Sequence, residues 1–283
     1  MAETAFQKQY RQEQIAAFEV QQTLLRHTCT TEVVVKGNSA EFLVAGSGGA
    51  TAVTRGVNGL IPARADDLTQ TTTTLVEWHD LVRKTRFNIF ASQGDQRSVM
   101  QRTTTNVINR QVDSDIITEL NTGTVNTGAA TTASMELSVH ALTILQNSDV
   151  PWDGNITGLI TPAYNGYLLQ IPEYASADFV DLREMNGAPS AWNDQVKAKQ
   201  WMGVNWIVHP ALPGAATAAE KCFMYHKSAI GHAMDMDSFD TAVGYDDEQD
   251  YSYARASCFM GTEILQNSGV VVINHDGSGF AAS

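Results

Sequence analysis

An α+β fold is the class the sequence predicts, and three observations predict it. Residues 94–120 (GDQRSVMQRTTTNVINRQVDSDIITEL) run without proline or internal glycine and place Ile108, Val112, Ile116 and Leu120 at four-residue steps, the spacing of a long helix. Before it, residues 46–90 hold five glycines by position 59 and few large apolar side chains before Leu75, then turn strand-like from Thr71 onward. Such a stretch cannot build its own core, and it reads as a long two-stranded arm with its tip near residues 46–66. After it, from Ala133, short apolar runs alternate with helical spacings, as in a compact α/β unit.

The totals narrow the class further. In 283 residues, 43% hydrophobic and 17% charged, there is enough apolar material for a core and too little charge for a disordered chain. Cys29, Cys222 and Cys258 have no CxxC spacing, which excludes a disulfide framework and a zinc site and fits reduced thiols. The opening MAETAFQKQYRQEQ is polar throughout, unlike a secretory signal, and no apolar run approaches the ~20 residues that span a bilayer. A net charge of −13 speaks against tight sequence-independent DNA binding. That charge is uneven: residues 1–110 carry 12 Lys and Arg against 10 Asp and Glu, and residues 111–283 carry 6 against 21. Two such halves are suited to meet across subunits.

Taken in order, residues 4–27 read as an amphipathic helix on Phe6, Tyr10, Ile15, Phe18, Leu24 and Leu25, with nothing nearby to cover it. Val33–Val35 is a short strand, Gly37–Ser39 a turn and Glu41–Ala45 a second strand. Gly94–Asp95 supplies an N-cap for the long helix, and Asn121-Thr122-Gly123 a stop. The rod between them is roughly 40 Å long. Gly123–Thr132 is a small-residue linker. Met135, Val139, Leu142 and Leu145 mark a helix; Ile156–Ile160 a strand; Thr161-Pro162 a helix entry continued by Tyr164, Leu168 and Ile171. Phe179–Met185 reads as a short helix, Trp201–His209 as a strand, Cys222–Tyr225 as a strand and Lys227–Met234 as a short helix or turn. Asp240–Asp250 reads as an acidic loop, with strands at Tyr251–Met260 and Val270–Asn274.

No catalytic constellation emerges. HExxH, GxSxG and P-loop patterns are all missing, and GSGG at 46–49 lacks both a following Lys-Ser/Thr and a helix. His232, Asp235, Asp237 and Asp240 could offer metal ligands, but the oxygen spacing and glycine of a calcium loop are not there, and a solvated turn is the expectation. The run Asp246-Asp247-Glu248 with Asp250 reads as a hydrated surface. Trp78-His79-Asp80 sits on a strand, where neighbours point to opposite faces, so no His–Asp pair is expected. Asn155-Ile156-Thr157 matches a glycosylation acceptor by chance. The five tryptophans read as core or interface, and Cys222 and Cys258 as buried thiols. No cofactor and no metal is expected.

The order of parts resembles the major capsid proteins of tailed bacteriophages, which share the Hong Kong 97-type fold: an N-terminal arm, a glycine-bearing extended hairpin, a long spine helix and a compact domain ending in strands. Three local runs support the resemblance. They are Gly158-Leu159-Ile160-Thr161-Pro162 followed by Tyr164, then Met202-Gly203-Val204-Asn205-Trp206-Ile207 through Leu212-Pro213, then Met224-Tyr225-His226-Lys227-Ser228-Ala229-Ile230.

The resemblance implies an N-terminal arm at 1–36, an extended loop at 37–75, and a peripheral domain at 76–132 with the spine helix at 94–121. It implies an axial domain at 133–240, return strands of the peripheral domain at 241–265, and a C-terminal strand and tail of the axial domain at 266–283. It further implies a non-enzymatic protein, assembled in the host bacterial cytoplasm into an icosahedral virion shell of pentamers and hexamers. The implied partners are copies of itself, a separate scaffolding protein, a portal, a possible decoration or cement protein, and packaged double-stranded DNA bound without sequence specificity, with no membrane. Some members of the fold join subunits through a loop lysine. Residues 37–83 contain none, so a non-covalent shell is expected. The expected inter-subunit residues are Arg55, Arg64, Asp66 and Asp67, near the hairpin tip. Three other readings stand beside this one: an encapsulin-type nanocompartment of the same fold, an enzyme with an unrecognised site, and a phage tail or decoration protein forming fibres or trimers.

Overall fold

The computed structural model describes residues 23–32, 37–47, 49–64, 67–86, 88, 96–175, 181–183 and 198–280. Along the chain come β1 (Thr30–Glu32), β2 (Ser39–Gly46), β3 (Asp67–Thr74), β4 (Val76–Thr85), α1 (Gln96–Leu120) and α2 (Met135–Asn147). Then follow β5 (Ile156–Ile160), α3 (Pro162–Leu168), α4 (Pro172–Ala175), β6 (Asp181–Arg183), β7 (Ala198–Trp201) and β8 (Val204–Val208). The series ends with β9 (Glu220–His226), β10 (Ile230–Asp246), β11 (Tyr251–Ile264) and β12 (Val270–His275).

The expected rod is α1. Ile108, Val112, Ile116 and Leu120 are all buried, so the four-residue step did mark the face that packs. The stop works as read: the N–H groups of Asn121 and Gly123 turn back onto the carbonyl oxygens of Ile117 (3.1 Å) and Leu120 (3.2 Å). Gly94 and Asp95, the expected N-cap, lie outside the described residues.

The rod lies on a four-stranded sheet of order β1-β10-β11-β4. β10 and β11 form a long antiparallel pair, and alternate residues of β11 (Ala254, Ala256, Cys258, Met260) are buried. The second sheet has order β12-β9-β5-β8-β7-β6, and only β5 and β8 are parallel in it. All five residues of β5 are buried at its centre. Gly158 is glycine there because a Cβ would stand 2.8 Å from the Trp206 ring on β8. Thr161 caps α3 as expected, accepting the Tyr164 N–H at 3.1 Å, with Pro162 in the first turn. The third sheet is the hairpin β2–β3 alone, paired from Ser39↔Thr74 to Gly46↔Asp67.

Several expectations need correction. Residues 26–28 form a 3₁₀ turn rather than the end of an α-helix; 1–22 and the strand expected at 33–35 lie outside the described residues, while a strand at Thr30–Glu32 was missed. The return arm is two strands, broken at Leu75. Of the α2 stripe, Leu142 and Leu145 are buried but Met135 and Val139 face out, and Leu137 and Ala141 take their places. Residues 181–183 are strand, not helix. The run 201–209 begins with the end of one strand and turns at Met202-Gly203, both at positive φ, into the next. After a 3₁₀ turn at Lys227–Ala229, β10 begins at Ile230 and runs unbroken by coil to Asp246. The short helix or turn expected at 227–234 is therefore a turn over its first three residues only, and 230–234 and most of the acidic loop expected at 240–250 are strand. The linker 123–132 is not idle: Asn126 and Thr131 bridge β12 in parallel.

Candidate functional site

The hairpin β2–β3 stands apart from the two larger sheets. One face holds Ala40, Phe42 and Thr73, buried at its root; the other holds Leu43 and Leu68, 69% and 53% exposed. Beyond the strands, Val53, Val57, Leu60 and Ile61 are all exposed. The tip is a tight turn in which Gly59 N–H donates to the Gly56 carbonyl (2.9 Å) and Gly56 N–H to that of Leu60 (3.1 Å). Arg55 and Arg64 are exposed on this tip, and Asp67 is exposed at the start of β3. Among the described residues none of the three has an ion-pair partner within the chain; Asp66 lies outside the described residues. Among the described residues the structure thus leaves Arg55, Arg64 and Asp67 exposed on the hairpin, without an ion-pair partner in their own subunit.

A second joint fastens the start of the described chain to the rod. Asp113, buried on α1, accepts the backbone N–H of Leu24 through both oxygens (3.1 and 3.0 Å) and that of Leu25 through Oδ1 (3.2 Å). Leu25 and Cys29 enter the main core, and Thr28 Oγ1 lies 2.5 Å from the Tyr225 hydroxyl on β9. One carboxylate therefore ties three parts together: the stretch before β1, the rod and, through His209 Nε2 at 3.8 Å, the loop after β8. In the sequence nothing marks Asp113 out from the other charges of residues 94–120.

The buried ionisable groups are locked into structure. On β10, His232 is fully buried, and its Nδ1 meets Thr262 Oγ1 at 2.9 Å; that hydroxyl donates to Asp115 Oδ2 at 2.6 Å. Burial, with the charge of Arg26, pushes the His232 imidazole down to about 4, and burial raises the Asp115 carboxyl against the pull of Thr262. The expected solvated turn at 232–240 is therefore strand with a buried histidine. In the second sheet, Glu220 accepts Thr161 Oγ1 (2.6 Å) and the Ala216 N–H, and His275 Nε2 lies 3.5 Å from Glu220 Oε2. Glu220 and His275 have essentially no exposure, so no substrate reaches them. Burial pushes Cys29 and Cys222 up to about 12 and Cys258 to about 11, far from the thiolate a nucleophile needs.

Other readings sort as follows. His79 meets Glu77, two residues away on the same strand face, at 3.0 Å, rather than Asp80. Asp153 is held down to about 2: burial pushes it up, but hydrogen bonds from the Asn155 side chain and backbone and from His226 outweigh it. Trp201 and Trp206 are core, Trp78 is half-buried, Trp152 is exposed over Gly203, and Trp192 lies outside the described residues. Among the described residues no group of three or more His, Cys, Asp or Glu gathers as a metal would require, and no helix is long and apolar enough to cross a membrane.

Among the described residues, then, the hairpin is exposed, the rod is strapped to the start of the chain and the buried polar clusters are closed to solvent. The sequence matches the family described as "Phage capsid protein" over residues 2–277. The chain belongs to that family. None of the curated proteins matches it, but solved structures do. The structure titled "Mycobacterium phage Che8" aligns with a TM-score of 0.71 at 16% identity, covering 97% of this chain and 98% of the other. "Capsid of Ralstonia phage GP4" gives 0.71 at 12% identity over 96% of each, and "Capsid structure of the Cyanophage P-SCSP1u" 0.68 at 14% over 96% and 93%. The fold expected from the resemblance to Hong Kong 97-type shells is the fold observed. This phage capsid protein is a major capsid protein, a structural component of the virion shell, and the nanocompartment reading is not favoured.

Proposed function

We propose that this phage capsid protein closes into an icosahedral shell of pentamers and hexamers around the packaged double-stranded DNA of a tailed phage. The hairpin is the observation that carries the reading. It places six large apolar side chains (Leu43, Val53, Val57, Leu60, Ile61 and Leu68) in water without covering them from its own subunit. Full burial of one such side chain stabilises by about 1.5–3 kcal/mol, whereas an exposed ion pair contributes only ~0.2–1 kcal/mol. A neighbouring copy that covers even part of this strip supplies most of the affinity. Arg55 and Arg64 then set register against carboxylates of the neighbour's acidic half, and Asp66 and Asp67 against Arg or Lys nearby. Because the hairpin and the surface that receives it are different patches, the contact is head-to-tail, and such contacts close into rings when the rotation permits.

The remaining parts of the reading follow from this geometry and the resemblance. Residues 37–75 form the extended loop, 76–132 and 241–265 the peripheral domain, and 133–240 with 266–283 the axial domain. Assembly takes place in the host cytoplasm with a separate scaffolding protein, a portal at one vertex and an accessory decoration protein. The acidic balance suits a wall that does not grip its DNA. The test is electron microscopy of the protein produced with its phage's assembly proteins. Closed shells with fivefold and sixfold clusters are the expected result; only monomers, small oligomers or fibres would overturn the reading.

A further inference from the structure

The hairpin's aim is decided at its root, where small residues of the first sheet make a seat. Gly231 and Ala233 lie two apart on one face of β10, and Gly261 of β11 pairs with Ala233. Phe42 of β2 rests on Gly231: a Cβ there would stand 2.9 Å from Phe42 Cζ and 3.0 Å from Cε1 and Cε2. On the other strand of the hairpin, a Cβ on Gly261 would stand 2.6 Å from the Thr74 carbonyl oxygen and 2.9 Å from Thr73 Oγ1. Neither glycine has positive φ, so the backbone would accept alanine and it is the space that would not. Ala40, Phe42 and Ala233 bury one another in a small cluster separate from the main core, with Leu75 and Leu265 at its margin. Past this seat the stem residues 43–46 and 67–70 are exposed or half-exposed.

A stem held only at its base swings with any shift of that base. Phe42, opposite Thr71, is three residues from Thr74, so the two contacts lie about 10 Å apart at ~3.4 Å per residue. We propose that Phe42 and Gly231 are positioning residues for assembly: the ring on bare backbone, with Gly261 under Thr73 and Thr74, sets the angle at which the hairpin leaves the subunit and therefore where its tip meets the neighbouring copy. The inference rests on the shell-forming reading above, but the seat itself is a property of the single subunit.

The experiment uses the single subunit first. Spin labels on cysteines introduced at Asn58 and at Thr143, both exposed, report the distance from hairpin tip to α2, while the native cysteines are buried. Gly231→Val lifts the Phe42 ring by roughly 2 Å, a tilt of about 10° that moves a point 30 Å out by about 5 Å. The expected result is a shift of that size with little change in the thermal midpoint, reversed when Phe42→Ala vacates the ring's space in the same chain. Shells should be lost or misshapen in the single variant and return in the double. An unmoved distance distribution, or a shift that the double variant keeps, would overturn the inference. If Gly231→Val does not fold, Gly261→Ala, which lifts Thr74 on the other strand, is read by the distance alone: a shifted distribution supports the seat and an unmoved one overturns it. A native chain that makes no shells would sink the shell-forming reading, and the distance measurement would still decide the seat.

Discussion

Replacing Asp113 should release the start of the chain from the rod. Its carboxylate is 1% exposed and serves two backbone donors, Leu24 N–H and Leu25 N–H, at 3.0–3.2 Å. In Asp113→Ala the Leu25 N–H is left buried without an acceptor, which costs about 1–3 kcal/mol. The Leu24 N–H is only partly buried, so water can replace its lost bond, and removing a buried carboxylate returns some desolvation energy. The balance is a loss of about 1–2 kcal/mol. Asp113→Asn keeps a neutral oxygen, and neutral hydrogen bonds are about half as strong as charge-assisted ones, so it should lose about half as much. Urea unfolding of the free subunit reads the global loss. Trypsin cleavage after the half-buried Arg26 reads the local one and should accelerate more in the alanine variant than in the asparagine variant. A loss below ~0.5 kcal/mol for Asp113→Ala would refute the strap. So would equal losses in both variants, because the carboxylate would then not be acting as the acceptor described.

Three further outcomes are expected. His232 sits at about 4 when folded against 6.5 ordinarily, so the unfolded chain takes the proton first. Its contribution, up to about 3 kcal/mol, is complete above pH ~6.5 and is lost as pH falls through about 4, while Asp115, raised by burial, returns part of it on protonation. His232→Gln should flatten the unfolding midpoint across that window, and a native chain already flat there would contradict the assignment. Limited trypsin treatment should cut free subunits first after Arg55 or Arg64 and spare both in shells; equal rates in the two states would mean that the hairpin does not dock. Shells boiled in detergent should give a single monomer band, because residues 37–83 hold no lysine, and a ladder of covalent oligomers would show the inference wrong.

What could be read in advance depended on where each residue's reason lies. The rod, β5 and the Thr161 cap were legible because spacing, apolar runs and a hydroxyl before proline act locally. β10 was not, since its composition answers to neighbours far along the chain. Gly231 is small for Phe42, 189 positions earlier, and His232 is polar for Thr262 and Asp115. Read alone, those residues spell a turn. The hairpin tip was legible from its glycines and lack of core residues, and Arg55, Arg64 and Asp67 are exposed on the hairpin. Its seat was not, because a glycine chosen for clearance leaves no mark distinct from one chosen for a bend. Asp113 was hidden for a similar reason: among the charges of a long helix, nothing local separates those that face inward from those in water.

The placing of β12 carries a consequence for how the protein is made. Val270, Val271, Val272 and Ile273 are buried, and they fill one edge of the second sheet beside β9. Asn126 and Thr131, on the β12 edge, leave the ribosome about 140 residues earlier and must wait for it. At 5–20 residues per second that wait is on the order of ten seconds. During it the edge of β9 and the underside of α2 stay uncovered, so a nascent chain cannot present a finished subunit to its neighbours. A chain broken off before residue 270 never can. The subunit surface is thus finished only when β12 is in place, and synthesis sets the earliest moment at which a copy can join a neighbour.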